Sequence, residues 1–335
     1  MTSLDEKYMR MCFSLAKKGK GKVSPNPMVG CVVLDKTGNI VSKGYHKKYG
    51  ENHAERDALL KLQNNEAEGG TLYVNLEPCS HYGKTPPCVD LIIERKLSRV
   101  VVGMKDVNPI VDGISKLEKA GIKVDYVLKE EAEFLNRIFV KNMTQKLPYV
   151  VLKTATTMDG KIATHNGSSK WITSEEARRE VYKMRKEFDC IMTSSNTIIA
   201  DNPRMEHKFK CILDKDSRTD KNSEIYKQGK IYIATKENTP LIEGELDIKS
   251  VLKNLYEEGI CSVFVECGGT LAGAMLKANL IDEIYQFIAP KILNDNSGLS
   301  CFNGDRIDSI SQAKEFHIYD VKQIGKDLLI KGIKG

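Results

Sequence analysis

The chain of 335 residues contains no run of about 18 apolar residues, so nothing in it reads as a membrane span. Its N-terminal stretch, MTSLDEKYMRMCFSLAKKGKGK, mixes acids and bases within a helical pattern and lacks the apolar centre of a signal peptide. Residence in the cytoplasm is the expectation. Nine cysteines, an odd number at irregular spacings, do not describe a disulfide framework. No internal repeat or low-complexity segment is present, and tryptophan occurs once, at Trp171. No Gly-x-Gly-x-x-Gly follows a strand-like run, which removes the usual signal of a dinucleotide-binding Rossmann fold. Net charge is a modest +6. Residues 1–148 hold 24 Lys and Arg against 18 Asp and Glu, and the remainder balances at 27 each, so the basic excess belongs to the first half. Such an excess could attract a phosphorylated substrate or an RNA, although on charge alone a solvated surface is the better reading.

The length suffices for two domains, each able to bury its own core. The first half alternates helix and strand patterns. Residues 3–18 read as a helix, with Leu4, Tyr8, Cys12 and Leu15 on one face and Ser3 and Glu6 spaced as a capping box. MVGCVVLD and IVSKGYH read as strands joined by KTGN. The pattern continues as helix HAERDALLKLQ, strand GTLYVNL, helix CVDLIIERK and strand RVVVGM. A helix-strand pair follows in SKLEKAGIKVDYV, then one helix in EEAEFLNRIFVKNMTQ. A new unit begins at KLPYVVLKTATTMDGKIA, with later strands DCIMTS, KCILD, GKIYIAT, CSVFVEC and DEIYQFIAP. The simplest partition is two α/β domains, 1–147 and 148–335, the first with helices on both faces of its sheet. Cys12, Cys31, Cys190, Cys211 and Cys261 lie in apolar stretches and read as packing residues.

Cys79 and Cys88 differ. They sit in EPCSHYGKTPPC among Pro, Gly and polar residues, too far apart for a compact Cys-x-x-Cys clip. A catalytic zinc site needs about three protein ligands and an open position for water. HAE, at His53 to Glu55, is the outstanding companion. Two residues apart at a helix start, His53 and Glu55 cannot both ligate one ion from one helical face. The spacing suits a ligand, His53, beside a non-ligating acid/base, Glu55. His53, Cys79 and Cys88 would then form the metal set and Glu55 the proton carrier, the arrangement of the zinc deaminases. A competing assignment makes the site structural, with His81 as fourth ligand.

SPNPMVGCVV, GYH, HAE and EPCSHYGKTPPC together resemble the deaminase half of the bifunctional riboflavin biosynthesis deaminase/reductase family, which carries the same widened cysteine spacing. The resemblance implies a cytidine deaminase-like three-layer α/β/α domain followed by a dihydrofolate reductase-like α/β domain. It implies one Zn2+ in the first and NADPH in the second. The inserted SHYGKTPP becomes a wall of the substrate pocket. Lys84 and His81 would hold the ribose phosphate, and Asn26 and His46 would read the pyrimidine edge and ribose. The partner is then a small phosphorylated pyrimidine, with no nucleic acid or membrane, and the protein is expected to be a homo-oligomer.

The resemblance extends through KTATTMDGKIA, GSSKWITS, SSNTIIADNPRM, CILDKDSR and VECGGTLAGAMLKANLIDEIYQFIAPKIL. It implies cofactor contacts at Ala155, Trp171, Thr197, Asp201 and Lys215, and at Gly268, Gly269, Thr270, Leu271, Ala272, Gly273 and Ala274. It implies sugar-phosphate contacts at Ser169, Met205, Lys208 and Glu266, with Lys153 near the ribose. Residues 201–214, DNPRMEHKFKCILD, depart from the family's usual pattern. Asn202, Glu206 and Lys208 replace Asp, Thr and Arg there, and a longer connection is missing. Cys267 stands where Gly or Ala is common. Three other readings stay open on the sequence: a nucleic-acid deaminase, a non-enzymatic zinc module, and a deaminase carrying a decayed reductase.

Overall fold

The computed structural model describes residues 3–63, 65–83 and 86–335. It divides into two compact units, Met1–Lys146 and Leu147–Gly335. No helix among the described residues is long and apolar enough to cross a membrane.

The first unit comprises α1 (Ser3–Ala16), β1 (Gly30–Leu34), β2 (Ile40–Tyr45), α2 (Ala54–Leu59), β3 (Thr71–Leu76), α3 (Cys88–Glu94), β4 (Arg99–Met104), α4 (Gly113–Lys119), β5 (Lys123–Tyr126), α5 (Lys129–Leu135) and α6 (Arg137–Gln145). Its sheet runs β2-β1-β3-β4-β5, with β1 antiparallel to both neighbours and β3, β4 and β5 mutually parallel. Every residue of β1 is buried, as expected of a continuous apolar strand covered on both faces. Two glycines show how closely helices cover those faces. A Cβ at Gly30 would meet the Cys12 carbonyl of α1 at 2.1 Å, and one at Gly44 would meet the Ala54 carbonyl of α2 at 2.3 Å. Gly44 pairs with Cys31, one residue beyond Gly30, so the two glycines face opposite sides of the sheet. The expected three layers are present.

Two details differ from the sequence reading. The buried stripe of α1 is Met9, Cys12, Phe13 and Ala16, whereas Leu4 is 55% exposed and Tyr8 and Leu15 are only partly buried. Asp5 turns inward instead of Leu4, because its carboxylate accepts from Tyr73 Oη at 2.7 Å and from Arg99 at 2.9 and 3.3 Å. The expected single helix over residues 130–145 is broken at Asn136. That side chain clamps the Met28 backbone, accepting from its N–H at 2.9 Å and donating to its carbonyl at 3.1 Å. The position before Ser3 that would cap α1 lies outside the described residues.

The second unit comprises β6 (Tyr149–Thr157), β7 (Lys161–Ala163), α7 (Glu175–Arg185), β8 (Cys190–Ser194), α8 (Ser195–Asp201), β9 (Phe209–Leu213), β10 (Lys230–Ala234), β11 (Leu241–Ile242), β12 (Glu245–Leu246), α9 (Ile248–Glu257), β13 (Ser262–Glu266), α10 (Gly269–Lys277), β14 (Glu283–Ala289), β15 (Leu299–Ser300), β16 (Phe316–Ile324) and β17 (Asp327–Lys334). Eight of these strands form one sheet, β10-β9-β8-β13-β6-β14-β17-β16. The strands from β10 to β14 are parallel, and β17 and β16 close the sheet antiparallel. The hairpin β16–β17 carried no strand signal in the sequence reading. As an edge strand, β16 leaves six of its nine residues exposed, so no apolar alternation marks it. Cys190, Cys211 and Cys261 are buried packing residues here, as are Cys12 and Cys31 in the first unit.

Candidate active sites

In the first unit, the start of α2, the end of β3 and the start of α3 deliver the expected residues to one point. His53 is the N-cap of α2, Cys79 follows β3, and Cys88 opens α3. His53 Nδ1 lies 3.4 Å from Cys79 Sγ and 3.6 Å from Cys88 Sγ, and the three ligand atoms fall within 4.8 Å of one another. The Cys88 N–H donates to Cys79 Sγ at 3.3 Å. Hydrogen bonding from Cys88 and His53 lowers the Cys79 thiol below its ordinary range, and the neighbouring sulfur and burial raise Cys88. One thiolate beside an imidazole and a second thiol is a donor set that suits zinc. His81 is not part of this cluster. The structural site with His81 as fourth ligand therefore loses its support.

Glu55 is 3% exposed, and its Oε2 is buried without a hydrogen-bond partner among the described residues. Burial, with the negative charge of Cys79, raises its carboxyl to about 7. Glu55 and His53 line a cavity of about 260 Å3 together with Asn26, His46 and His81. His46 Nδ1 lies 3.0 Å from the Asn52 carbonyl and must donate there. Its Nε2 then accepts from Asn26 Nδ2 at 3.1 Å, which makes His46 neutral and leaves the Asn26 carbonyl oxygen for another partner. Burial lowers the His46 pKa and favours the same form. His81 Nδ1 is buried and has no partner among the described residues. Lys84 lies outside the described residues.

The sequence reading missed several members of this site. Asp106 and Asn108, in the turn after β4, also line the cavity, and burial raises Asp106 to about 6. Glu77, buried at the end of β3, accepts from the Ile114 N–H at 3.0 Å and the Asp106 N–H at 3.1 Å. It thereby fixes the strand end that carries Cys79. Gly113 permits the same docking, since a Cβ there would meet the Pro78 carbonyl at 2.0 Å.

The second unit assembles a different constellation. Glu266, at the end of β13, is 6% exposed and pairs with Lys153 of β6 at 3.1 Å. Arg185 of α7, not singled out in the sequence, grips the same carboxylate with Nε at 2.5 Å and Nη2 at 3.0 Å. Burial alone would raise Glu266, but Lys153 and Arg185 overcome it and hold the carboxyl at about 2. Glu266 is therefore an anion at neutral pH and cannot donate the proton in a reduction. Ser169 Oγ donates to Asp201 at 3.3 Å, and Thr197 Oγ1 lies 3.3 Å from Ser194 Oγ. Lys215 pairs with Glu245 at 2.8 Å. Ala155 lies in β6 and is half-buried. Trp171 is 62% exposed with its ring 4.1 Å from Arg178, so it is not a core anchor.

The run from Gly268 to Ala274 is divided by its packing. Gly268 has open space where a Cβ would stand. Thr270 and Ala274 are exposed, whereas Leu271 and Ala272 belong to the core. Gly269 and Gly273 are instead closed by residues 300–303, since added Cβ atoms would meet the Ser300 carbonyl at 2.3 Å and the Asn303 carbonyl at 1.6 Å. Met205 is packed with Ile191, Ile198, Ile212 and Ile225, so its side chain belongs to the core. Lys208 is exposed, and no contact among the described residues joins it to Glu266. Asn202, where the related pattern has Asp, ends α8 at φ 41° and accepts from the Glu224 N–H at 2.9 Å. Asn tolerates that left-handed conformation, as Asp would, and nothing in the structure explains the exchange. Burial raises the Cys267 thiol to about 12, so it stays protonated.

Comparison with known proteins agrees with both halves. Residues 2–104 match the cytidine and deoxycytidylate deaminase zinc-binding region, and residues 148–330 match the RibD C-terminal domain. The Aquifex aeolicus riboflavin biosynthesis protein RibD is 41% identical over 353 residues, covering 98% of each chain. The chain belongs to the RibD family. The Escherichia coli RibD is 37% identical over 97% of this chain and 98% of its own length. Two solved structures superpose along 99% of both chains: Acinetobacter baumannii RibD, at TM-score 0.88 and 33% identity, and a diaminohydroxyphosphoribosylaminopyrimidine deaminase/5-amino-6-(5-phosphoribosylamino)uracil reductase from Thermotoga maritima, at 0.87 and 35%. The chain is thus a bifunctional riboflavin biosynthesis enzyme with a zinc-binding deaminase domain and a reductase domain.

Proposed function

We propose that residues 1–147 remove the 2-amino group of 2,5-diamino-6-ribosylamino-4(3H)-pyrimidinone 5′-phosphate as ammonia, and that residues 148–335 reduce the ribosyl chain of that product to ribityl. The convergence of His53, Cys79 and Cys88 beside the buried Glu55, at the wall of one cavity, carries this reading. Zinc, when bound, supplies the Lewis acidity that makes water nucleophilic near neutral pH. Glu55 carries two protons in turn at Oε2, which has no partner among the described residues: the first from the attacking water to a ring nitrogen, the second from the hydroxyl so formed to the amino group, which leaves as ammonia. Asn26, oriented by neutral His46, presents its carbonyl to the pyrimidine edge. His81 and Lys84 hold the ribose phosphate.

NADPH, when bound, supplies the hydride in the second unit. The open side of Gly268 fits its phosphates against the unpaired N–H groups that begin α10, with Thr270 and Ala274 beside them. Ala155, Trp171, Thr197, Asp201 and Lys215 line the remaining cofactor path. The Lys153–Glu266–Arg185 cluster orients the sugar chain, with Ser169, the Met205 backbone and Lys208 on its phosphate. With Glu266 ionised, the proton of the reduction comes from a group other than this carboxylate.

Incubation with the diaminopyrimidine phosphate tests the whole reading. Ammonia and a deaminated product are expected without NADPH, and the ribityl product with it; RNA deamination to inosine with no reaction on the pyrimidine would overturn it. Lys84→Ala is expected to raise the deaminase KM about 10- to 100-fold, the worth of one charged phosphate contact, at unchanged zinc content. An unchanged KM removes Lys84 from the phosphate site. Self-association is supported by the edge strand β16, where Ile318 is 63% and Val321 56% exposed. Sedimentation at micromolar concentration checks it, and a monomer there removes it. Nine free cysteines support residence in the reducing cytoplasm.

A further inference from the structure

Ligands of open α/β sheets bind beyond the C-terminal ends of the parallel strands. In the second unit, Thr197 follows β8 and Lys215 follows β9 at that edge. The basic side chains there are not equivalent. Lys215 is held by Glu245 at 2.8 Å, and Lys236 by Asp216 at 3.0 Å. Arg218, in the loop after β9, is anchored through one nitrogen alone. Its Nη2 donates to Ser195 Oγ at 2.9 Å and to Asn196 Oδ1 at 2.6 Å, both neutral oxygens from the two residues before Thr197.

The carboxylates around Arg218 are occupied elsewhere. Asp214 is buried and accepts from the backbone N–H groups of Arg218 and Thr219 and from Thr219 Oγ1. Asp216 takes Lys236, and Asp220 takes the Asn222 backbone and side chain. Among the described residues, Arg218 pairs with no carboxylate. Among the described residues its Nε and Nη1 donors have no partner, while Nη2 fixes the guanidinium plane. A posed, planar fork of free donors suits a phosphate dianion.

Position decides which phosphate. The diphosphate is assigned to the start of α10 after β13, and β9 lies two strands away across β8, about 10 Å at the usual strand spacing. That step leads from the diphosphate toward the adenosine ribose. We infer that Arg218 reads the 2′-phosphate that separates NADPH from NADH, with Ser195 and Asn196 as its positioning residues. The inference rests on the reading of this unit as an NADPH reductase.

Calorimetric titration of the full chain with 2′,5′-ADP and 5′-AMP, and with NADPH and NADH, tests it without turnover. Wild-type protein is expected to bind the 2′-phosphorylated member of each pair more tightly. Arg218→Gln is expected to weaken 2′,5′-ADP and NADPH about 10- to 100-fold while leaving 5′-AMP and NADH unchanged, with partial recovery in Arg218→Lys. Unchanged 5′-AMP and NADH binding by the variant reports an intact second unit. Equal weakening of both members of a pair, or an unchanged preference, overturns the inference. Wild-type binding of neither cofactor overturns the reductase reading itself and this assignment with it.

Discussion

Glu55→Gln is expected to lower ammonia release about a thousandfold while leaving zinc content and the reduction of supplied deaminated intermediate at wild-type levels. The substitution preserves shape and removes only the ability to accept a proton, a step that contributes about 10²- to 10⁴-fold in general acid–base catalysis. The environment of Glu55 makes this loss specific. Its carboxyl is buried beside Cys79 and raised to about 7, and one oxygen has no partner among the described residues. A bound divalent cation would favour the ionised form and lower that value. Because the carboxylate must be ionised to accept the proton, activity should rise with pH through this group, with the acid limb below 7. Ammonia assay, metal analysis and the reductase assay on the same preparation separate the outcomes. Loss of both activities in a folded, zinc-loaded variant would show that the two sites are not independent.

The metal set was legible because its chemistry restricts residue type. Imidazole and thiolate in a polar, proline-bounded context have few other uses, so His53, Cys79 and Cys88 could be paired across 35 residues of sequence. The alternating elements of both units were legible for a different reason, since buried strands such as β1 and β13 are uninterrupted apolar runs. What stayed hidden depends on long-range contacts between common residue types. Asp106 and Asn108 are ordinary turn residues until β4 carries them to the cavity wall. Arg185 is one of several basic residues in SEEARREVYKMRKEF, and only the fold selects it for Glu266. Asn136 lies within a good helical pattern, and its role emerges only from the Met28 backbone it clamps. The departure DNPRMEHK is clarified in part: Arg185 places a fork-shaped cation beside Glu266 that Lys208 does not provide.

Glu266→Gln is expected to destabilise the second unit by about 3–5 kcal/mol at pH 7, the usual cost of removing one partner from a buried ion pair. The carboxylate lies between Lys153 and Arg185, whose side chains are 16% and 20% exposed, so the variant leaves two partly buried cations facing each other. The pKa shift gives a similar size. A carboxyl held at about 2 rather than the ordinary 4.5 corresponds to about 3 kcal/mol favouring the fold when ionised. The sign follows from linkage. A depressed carboxyl contributes its full stabilisation above its unfolded value and loses it as pH falls from about 4.5 through about 2. The gap between wild type and variant should therefore be widest at neutral pH and close toward pH 2. Urea unfolding followed through Trp171, the single tryptophan and a member of this unit, measures it at each pH. A gap that does not shrink on acidification would mean that the carboxylate charge is not what the two cations require, and the ionised Glu266 on which the reduction geometry depends would have to be abandoned.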